Sequence, residues 1–126
     1  MAAVPVNILI DQGANFDTSF YITNQDGTPL NMAGYTGEAA LKKSFSAKET
    51  DRIPFTLSFL DRTLGHVQIA WTPAETSALS RRRYVYDILL TSPNDYKTRV
   101  IEGLAEINYG VSWWHIMSDL EIILIV

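Results

Sequence analysis

The chain has 126 residues, 47% of them hydrophobic and 19% charged, which is enough for one domain to bury a core without help from metal or disulfide. It contains no cysteine, which excludes a disulfide framework, thiolate zinc sites and a cysteine nucleophile. The net charge is -4, and all 10 basic residues fall between two acidic ends, 1–40 and 101–126, so non-specific nucleic-acid binding is not expected.

The opening run, MAAVPVNILIDQG, has no basic n-region and too short an apolar stretch for a signal peptide. No segment approaches the roughly 20 apolar residues of a membrane span, so no membrane partner is expected. Val6 to Ile10 reads as a short first strand, broken by Asp11-Gln12-Gly13. Asn15 to Thr23 alternates with Phe16, Thr18, Phe20 and Ile22 on one face, and Asp26-Gly27 with Pro29 then supplies a turn. Tyr35 to Lys43 is a third strand with Tyr35, Gly37, Ala39 and Leu41 in phase, and 44–53 is polar enough for a solvated loop. Phe55, Leu57 and Phe59 alternate in a fourth strand, and Val67, Ile69 and Trp71 share one face of a fifth that runs from His66 to Thr72. Thr72-Pro73-Ala74-Glu75 places a capping hydroxyl, a first-turn Pro and a Glu where a short helix starts, predicting one turn or so through Ala78.

Arg83 to Ile107 carries the strongest pattern and reads as a β-hairpin, with Tyr84, Tyr86, Ile88 and Leu90 on one face. Ser92-Pro93-Asn94-Asp95 provides the turn. A four-residue loop sets Thr91 against Tyr96 and Tyr86 against Ile101, so that Ile101, Gly103, Ala105 and Ile107 continue the apolar face. A one-residue slip would send every side chain to the other face. Frequent turns between short strands, without long helical stretches, predict an all-β antiparallel sandwich of about seven strands with one short helical turn. Its expected core is Phe20, Leu41, Val67, Ile69, Trp71, Tyr84, Tyr86, Ile88, Ile101 and Ile107.

No constellation for catalysis emerges. His66 and His115 stand outside ligand or triad spacing and read as surface or packing residues. Glu102 and Glu106 share a strand face but lie about 13 Å apart at strand rise, too far for a cooperating acid and base. Asp26-Gly27 lacks the ligand positions of a calcium loop, and Gly34 and Gly37 lack the strand-then-helix context of a phosphate loop. Arg81-Arg82-Arg83 is the one dense charge cluster. It reads either as a solvated corner whose guanidinium groups meet the free carbonyls of the helix end, or as a docking patch for an acidic surface. The chain ends on Ile122, Ile123, Leu124, Ile125 and Val126, an apolar run that must be covered by the same sandwich or by a neighbour, with Trp113 and Trp114 as anchors in the second case.

The pieces DQGANF (11–16), DGTPLNMAGYTGEAALKK (26–43), GHVQIAWTPAETSAL (65–79) and RYVYDILLTSPNDYKTRVIEGLAEI (83–107) resemble small virion structural proteins of tailed phages, cyanophages in particular. Those proteins are similar to the immunoglobulin-like N-terminal domain of baseplate upper proteins. The resemblance implies an immunoglobulin-like sandwich over 1–108 and an extension over 109–126 that lies outside it. It implies a non-enzymatic assembly or adaptor module of a tail, baseplate or fibre, without cofactors, located in the virion after synthesis in the host cytoplasm. The expected partners are other virion proteins and further copies of the chain in a homo-oligomer. Two departures stand out: relatives often close the Ser-Pro-Asp turn with Gly where Asn94-Asp95 stands here, and they end soon after the last strand. From a different class, the tryptophans leave open a carbohydrate- or receptor-binding module.

Overall fold

The computed structural model describes residues 3–48 and 51–109. The elements are β1 (Val4–Pro5), β2 (Ile8–Asp11), β3 (Phe16–Tyr21), β4 (Thr36–Lys42), β5 (Ile53–Asp61), β6 (His66–Trp71), α1 (Pro73–Ser77), β7 (Arg83–Thr91) and β8 (Lys97–Asn108). Thr72 caps α1 through a capping box, its hydroxyl accepting from the Glu75 amide while the Glu75 carboxylate accepts from the Thr72 amide. The strands follow one path, β1-β8-β7-β4-β5-β6-β3, with β2 also on β8. β5 pairs with β4 through Ile53–Phe55 and with β6 from Thr56 onward, so it changes sheet halfway and folds the path into two layers.

The architecture is all-β and immunoglobulin-like. Tyr84 supplies an independent mark of that fold: near the start of β7, its hydroxyl accepts from the amides of Ser80 and Arg81, each at 3.2 Å, closing the corner that leads into the strand. The ladders from β3 through β8 are antiparallel as expected. β1 and β2 depart from that expectation by pairing in parallel with β8.

The first strand read in the sequence as Val6 to Ile10 begins only at Ile8, and a break at Val6 and Asn7 separates it from β1; the reason lies in β8. A Cβ on Gly103 would sit 2.1 Å from the Val6 carbonyl oxygen, so only glycine leaves room for that carbonyl. Tyr86, directly opposite Gly103, reaches across it and donates its hydroxyl proton to Val6 O at 2.7 Å. Asn7 Oδ1 accepts from the Leu104 amide at 3.0 Å. Over the break the Val6 amide still donates to Glu102 O at 2.9 Å, the two side chains supply the remaining bonds, and ladder pairing resumes at Ile8.

The hairpin keeps its predicted faces but not its predicted register. Thr91 pairs with Lys97 rather than Tyr96, because the loop holds five residues, with Ser92 N bonded to Tyr96 O and Asp95 at a φ of 70°. That slip alone would turn the apolar face outward. A bulge then follows, since Ile88 faces Ile101 while Leu89 faces Arg99, leaving Val100 extra. Two slips of one residue restore the face, so Tyr86 meets Gly103 instead of Ile101 and Val100 and Ile101 are both buried.

The core lies between the layers. Phe55 stands at its centre, 4.6 Å from the Trp71 ring, 6.2 Å from Phe16 and edge-on to Tyr86 at 6.3 Å. Nine of the ten expected core residues are buried. Phe20 is the exception: it is partly buried and packs against the core from β3.

Replacing Tyr86 by Phe keeps the ring and removes the bond to Val6, and should lower stability by about 1–2 kcal/mol in urea unfolding near neutral pH. Burial also pushes the Tyr86 phenol far above its ordinary value of 10.0. The unfolded chain therefore loses that proton first. The contribution is intact below about pH 10 and is lost as pH rises through the higher folded value. Alkaline loss of stability should be shallower in Tyr86→Phe than in the parent chain.

Candidate interaction site

Among the described residues no three His, Cys, Asp or Glu side chains gather as a metal site. No helix there is long and apolar enough to cross a membrane. His66 packs flat on Tyr21, ring centroids 4.2 Å apart at 9°, consistent with a packing role. Glu106 pairs with Arg83, and Glu102 stands opposite Asp87 in the β7–β8 ladder. His115, Trp113, Trp114 and the run Ile122, Ile123, Leu124, Ile125 and Val126 lie outside the described residues.

Arg81, Arg82 and Arg83 form the exposed corner between α1 and β7. The expectation that their guanidinium groups meet the helix-end carbonyls is corrected by the contacts: at the end of α1 the Ala78 amide donates to Glu75 O and the Leu79 amide to Thr76 O, each at 3.2 Å, while just past the helix Gln12 Nε2 donates to Leu79 O at 2.8 Å and the Tyr109 hydroxyl to Ser80 O at 3.2 Å. Thr76, fully buried, fastens the same helix to the β2–β3 turn by accepting from Gly13 N and donating to Ala14 O. Arg83 turns outward to Glu106, 3.5 Å away.

That pair extends a row of charges on the outer face of β4, β7 and β8. Arg52 bonds Glu38 at 2.6 Å and Arg99 bonds Asp87 at 2.8 Å, flanking a shallow groove of about 300 Å³ that Phe45 also lines. Phe45 is 68% exposed. Arg83 and Asp87 alternate with the buried residues of β7 and so share a face with Glu38 of β4, while Arg52 and Phe45 reach it from the connection between β4 and β5. Cross-strand charge pairs of both signs give a surface that can fix the orientation of a partner carrying the complementary pattern.

A second feature lies at the two ends of the strand path. β2 and β3 are consecutive in sequence, yet no ladder joins them; β2 pairs with β8 and β3 with β6. Between them opens a slot of about 360 Å³ lined by Val6, Ile8, Leu9, Phe16 and Phe20 among others. Phe20 is only half-buried, for among the described residues its strand is an edge, with the slot on its free side. Neither feature was read from the sequence. The charge row had a signal in the out-of-phase Glu38, Asp87 and Arg99, whereas the slot depends on which strands fail to pair and has no local mark.

No family model and no curated protein matches the chain. Among solved structures, the Lin-41 filamin domain is similar over 81% of this chain and 84% of its own, at 12% identity and a TM-score of 0.47. The SrpA adhesin from Streptococcus sanguinis is similar over 81% of this chain and 54% of its own, at 14% identity and a TM-score of 0.45. The chain spans about half the length of that adhesin chain.

If the arginine corner is solvated and not structural, replacing Arg81, Arg82 and Arg83 together by Ala removes one exposed ion pair worth about 0–1 kcal/mol. The melting temperature should then move by less than about 5 °C. A larger fall in calorimetry would make the corner part of the fold's support.

Proposed function

We propose that this chain is a non-enzymatic structural module of a tailed-phage particle, joining other virion proteins in a tail, baseplate or fibre. The observation that carries the reading is the outer face of β4, β7 and β8, where Glu38–Arg52, Asp87–Arg99 and Arg83–Glu106 form a row beside the exposed Phe45. Chemistry spread along a face in paired charges suits docking, where many contacts add specificity, more than it suits a reaction, where groups converge on one atom. The resemblance of 11–107 to phage virion proteins supplies the biological setting. Further copies of the chain and other virion proteins are the partners this surface would meet, and no cofactor has a role in it.

A sugar-binding role would call for an accessible aromatic platform. Trp71 does not offer one, being 3% exposed with its indole Nε1 donating to Pro54 O at 3.0 Å. Mass spectrometry of purified particles of the encoding phage is the direct test: the chain should be present in several copies per particle, and its absence would remove the proposal. A glycan array run alongside should be blank, and strong, selective sugar binding would favour a carbohydrate-recognition module instead.

A further inference from the structure

We infer that the turn carrying Phe45 docks into the slot between β2 and β3 of a second copy of the chain, so that copies join head to tail. The inference rests on the proposed function in one respect, that this face meets further copies, and deepens it by naming the surface met. The knob is built before any partner arrives. Between β4 and β5 the Ala47 amide donates to Ser44 O at 3.1 Å and Lys42 Nζ donates to Ala47 O at 3.3 Å, which closes the backbone of 44–47 and ties it to the end of β4. Phe45 projects from that turn, 68% exposed, between the exposed Ser44 and Ser46. An aromatic side chain held out on a fixed turn forfeits little freedom on binding, the condition for an anchor residue.

The slot is the matching concavity. Its lining holds no charged residue, Val6, Ile8 and Phe20 in it are partly exposed, and Leu9 is 48% exposed. Charge selects the pairing. The connection that carries Phe45 holds Lys42, Lys43, Lys48 and Arg52 against Glu49 and Asp51, an excess of positive charge, and Lys43 and Lys48 are exposed. The strands that border the slot carry the exposed Asp11 and Asp17, and residues 1–40 contain no Lys or Arg. A basic turn with an apolar tip therefore complements an apolar slot with acidic borders.

Position places the two in different copies. In the layer that runs from β2 through β8 and β7 to β4 and the first half of β5, the slot opens at the β2 edge and the turn projects from the β4–β5 edge. β2 and β4 are three strand spacings apart, about 14 Å, and the turn is tied down at Lys42, so it does not reach its own slot. Knob and slot also stand at a similar level along the strands: Leu9 pairs with Glu106 and Glu106 with Arg83, two residues from the Val85 that faces Lys42. A second copy set beside the first, across the strand direction, brings them together. The contact uses a different patch from each copy, so every added chain presents a fresh knob or slot, and growth ends only in a ring or a filament.

Sedimentation velocity on the purified full chain tests the contact. Phe45→Glu removes the knob, and Leu9→Lys and Thr18→Lys each block the slot at positions that are not buried, with circular dichroism checking that every variant keeps its β-sheet spectrum. The parent chain should form species larger than a dimer, with a dissociation constant below about 100 μM. Each variant alone should associate about tenfold more weakly or not at all. Mixed together, Phe45→Glu supplies an intact slot and Leu9→Lys an intact knob, and the two should form a one-to-one dimer that grows no further, as a head-to-tail contact requires. A parent chain that stays monomeric over that range would overturn the inference. So would association unchanged in Phe45→Glu or in both folded slot variants, or a mixture that stays monomeric. These outcomes are distinct from the particle test: a monomeric chain found in phage particles would remove this contact and leave the structural role standing.

Discussion

The sandwich depends on a contact among three residues far apart in sequence. Tyr86 donates to the Val6 carbonyl across Gly103, and Gly103 makes that possible by having no side chain to fill the space. A buried carbonyl without a donor costs on the order of 1–3 kcal/mol, so neither the phenol nor the glycine stabilises the site without the other. The contact also decides topology. It lays the N-terminal segment on β8, where Ile10 becomes fully buried, and so commits that segment to the β8 side of the molecule instead of to β3. The slot beside β3 is the counterpart of that choice.

Side-chain faces were legible because they repeat every second residue, and the strands from Phe16, Tyr35, His66 and Arg83 put the expected residues inward. The capping box before Pro73 was legible for a similar reason, since each of its parts lies within four residues. Register was not. The five-residue loop and the Val100 bulge each move β8 by one residue, and their effects on facing cancel, so an alternating pattern cannot reveal that both are present. Asp95 shows why the loop runs longer: it takes the left-handed conformation that a closing Gly would supply, and Ser92 N then reaches on to Tyr96 O.

The surfaces divide along the same line between local and non-local information. The arginine corner was visible as three like charges in a row, but the end of α1 is closed by the backbone amides of Ala78 and Leu79, and the carbonyls just past it are held by Gln12 and Tyr109, 67 and 29 residues distant from their acceptors. Phe20 was placed in the core by its alternation with Phe16 and Thr18, and its face is right. Among the described residues no strand neighbours β3 on one side, and no pattern within β3 can encode that.

Val100 links the interior to the outer face. Across β7 and β8, Asp87 stands opposite Glu102, a like-charge juxtaposition that is unfavourable on a sheet. The bulge places two buried residues, Val100 and Ile101, between the outward-facing Arg99 and Glu102, and sets Arg99 opposite Leu89. From there its guanidinium reaches Asp87 at 2.8 Å and offsets the repulsion. Without the extra residue, the pairing on the turn side of the bulge would continue unbroken, Asp87 would face Ile101, and the apolar and charged faces of β8 would be exchanged. One inserted residue therefore maintains the core and assembles the charge row on the opposite surface, so the outer face is as strictly specified by the fold as the interior is.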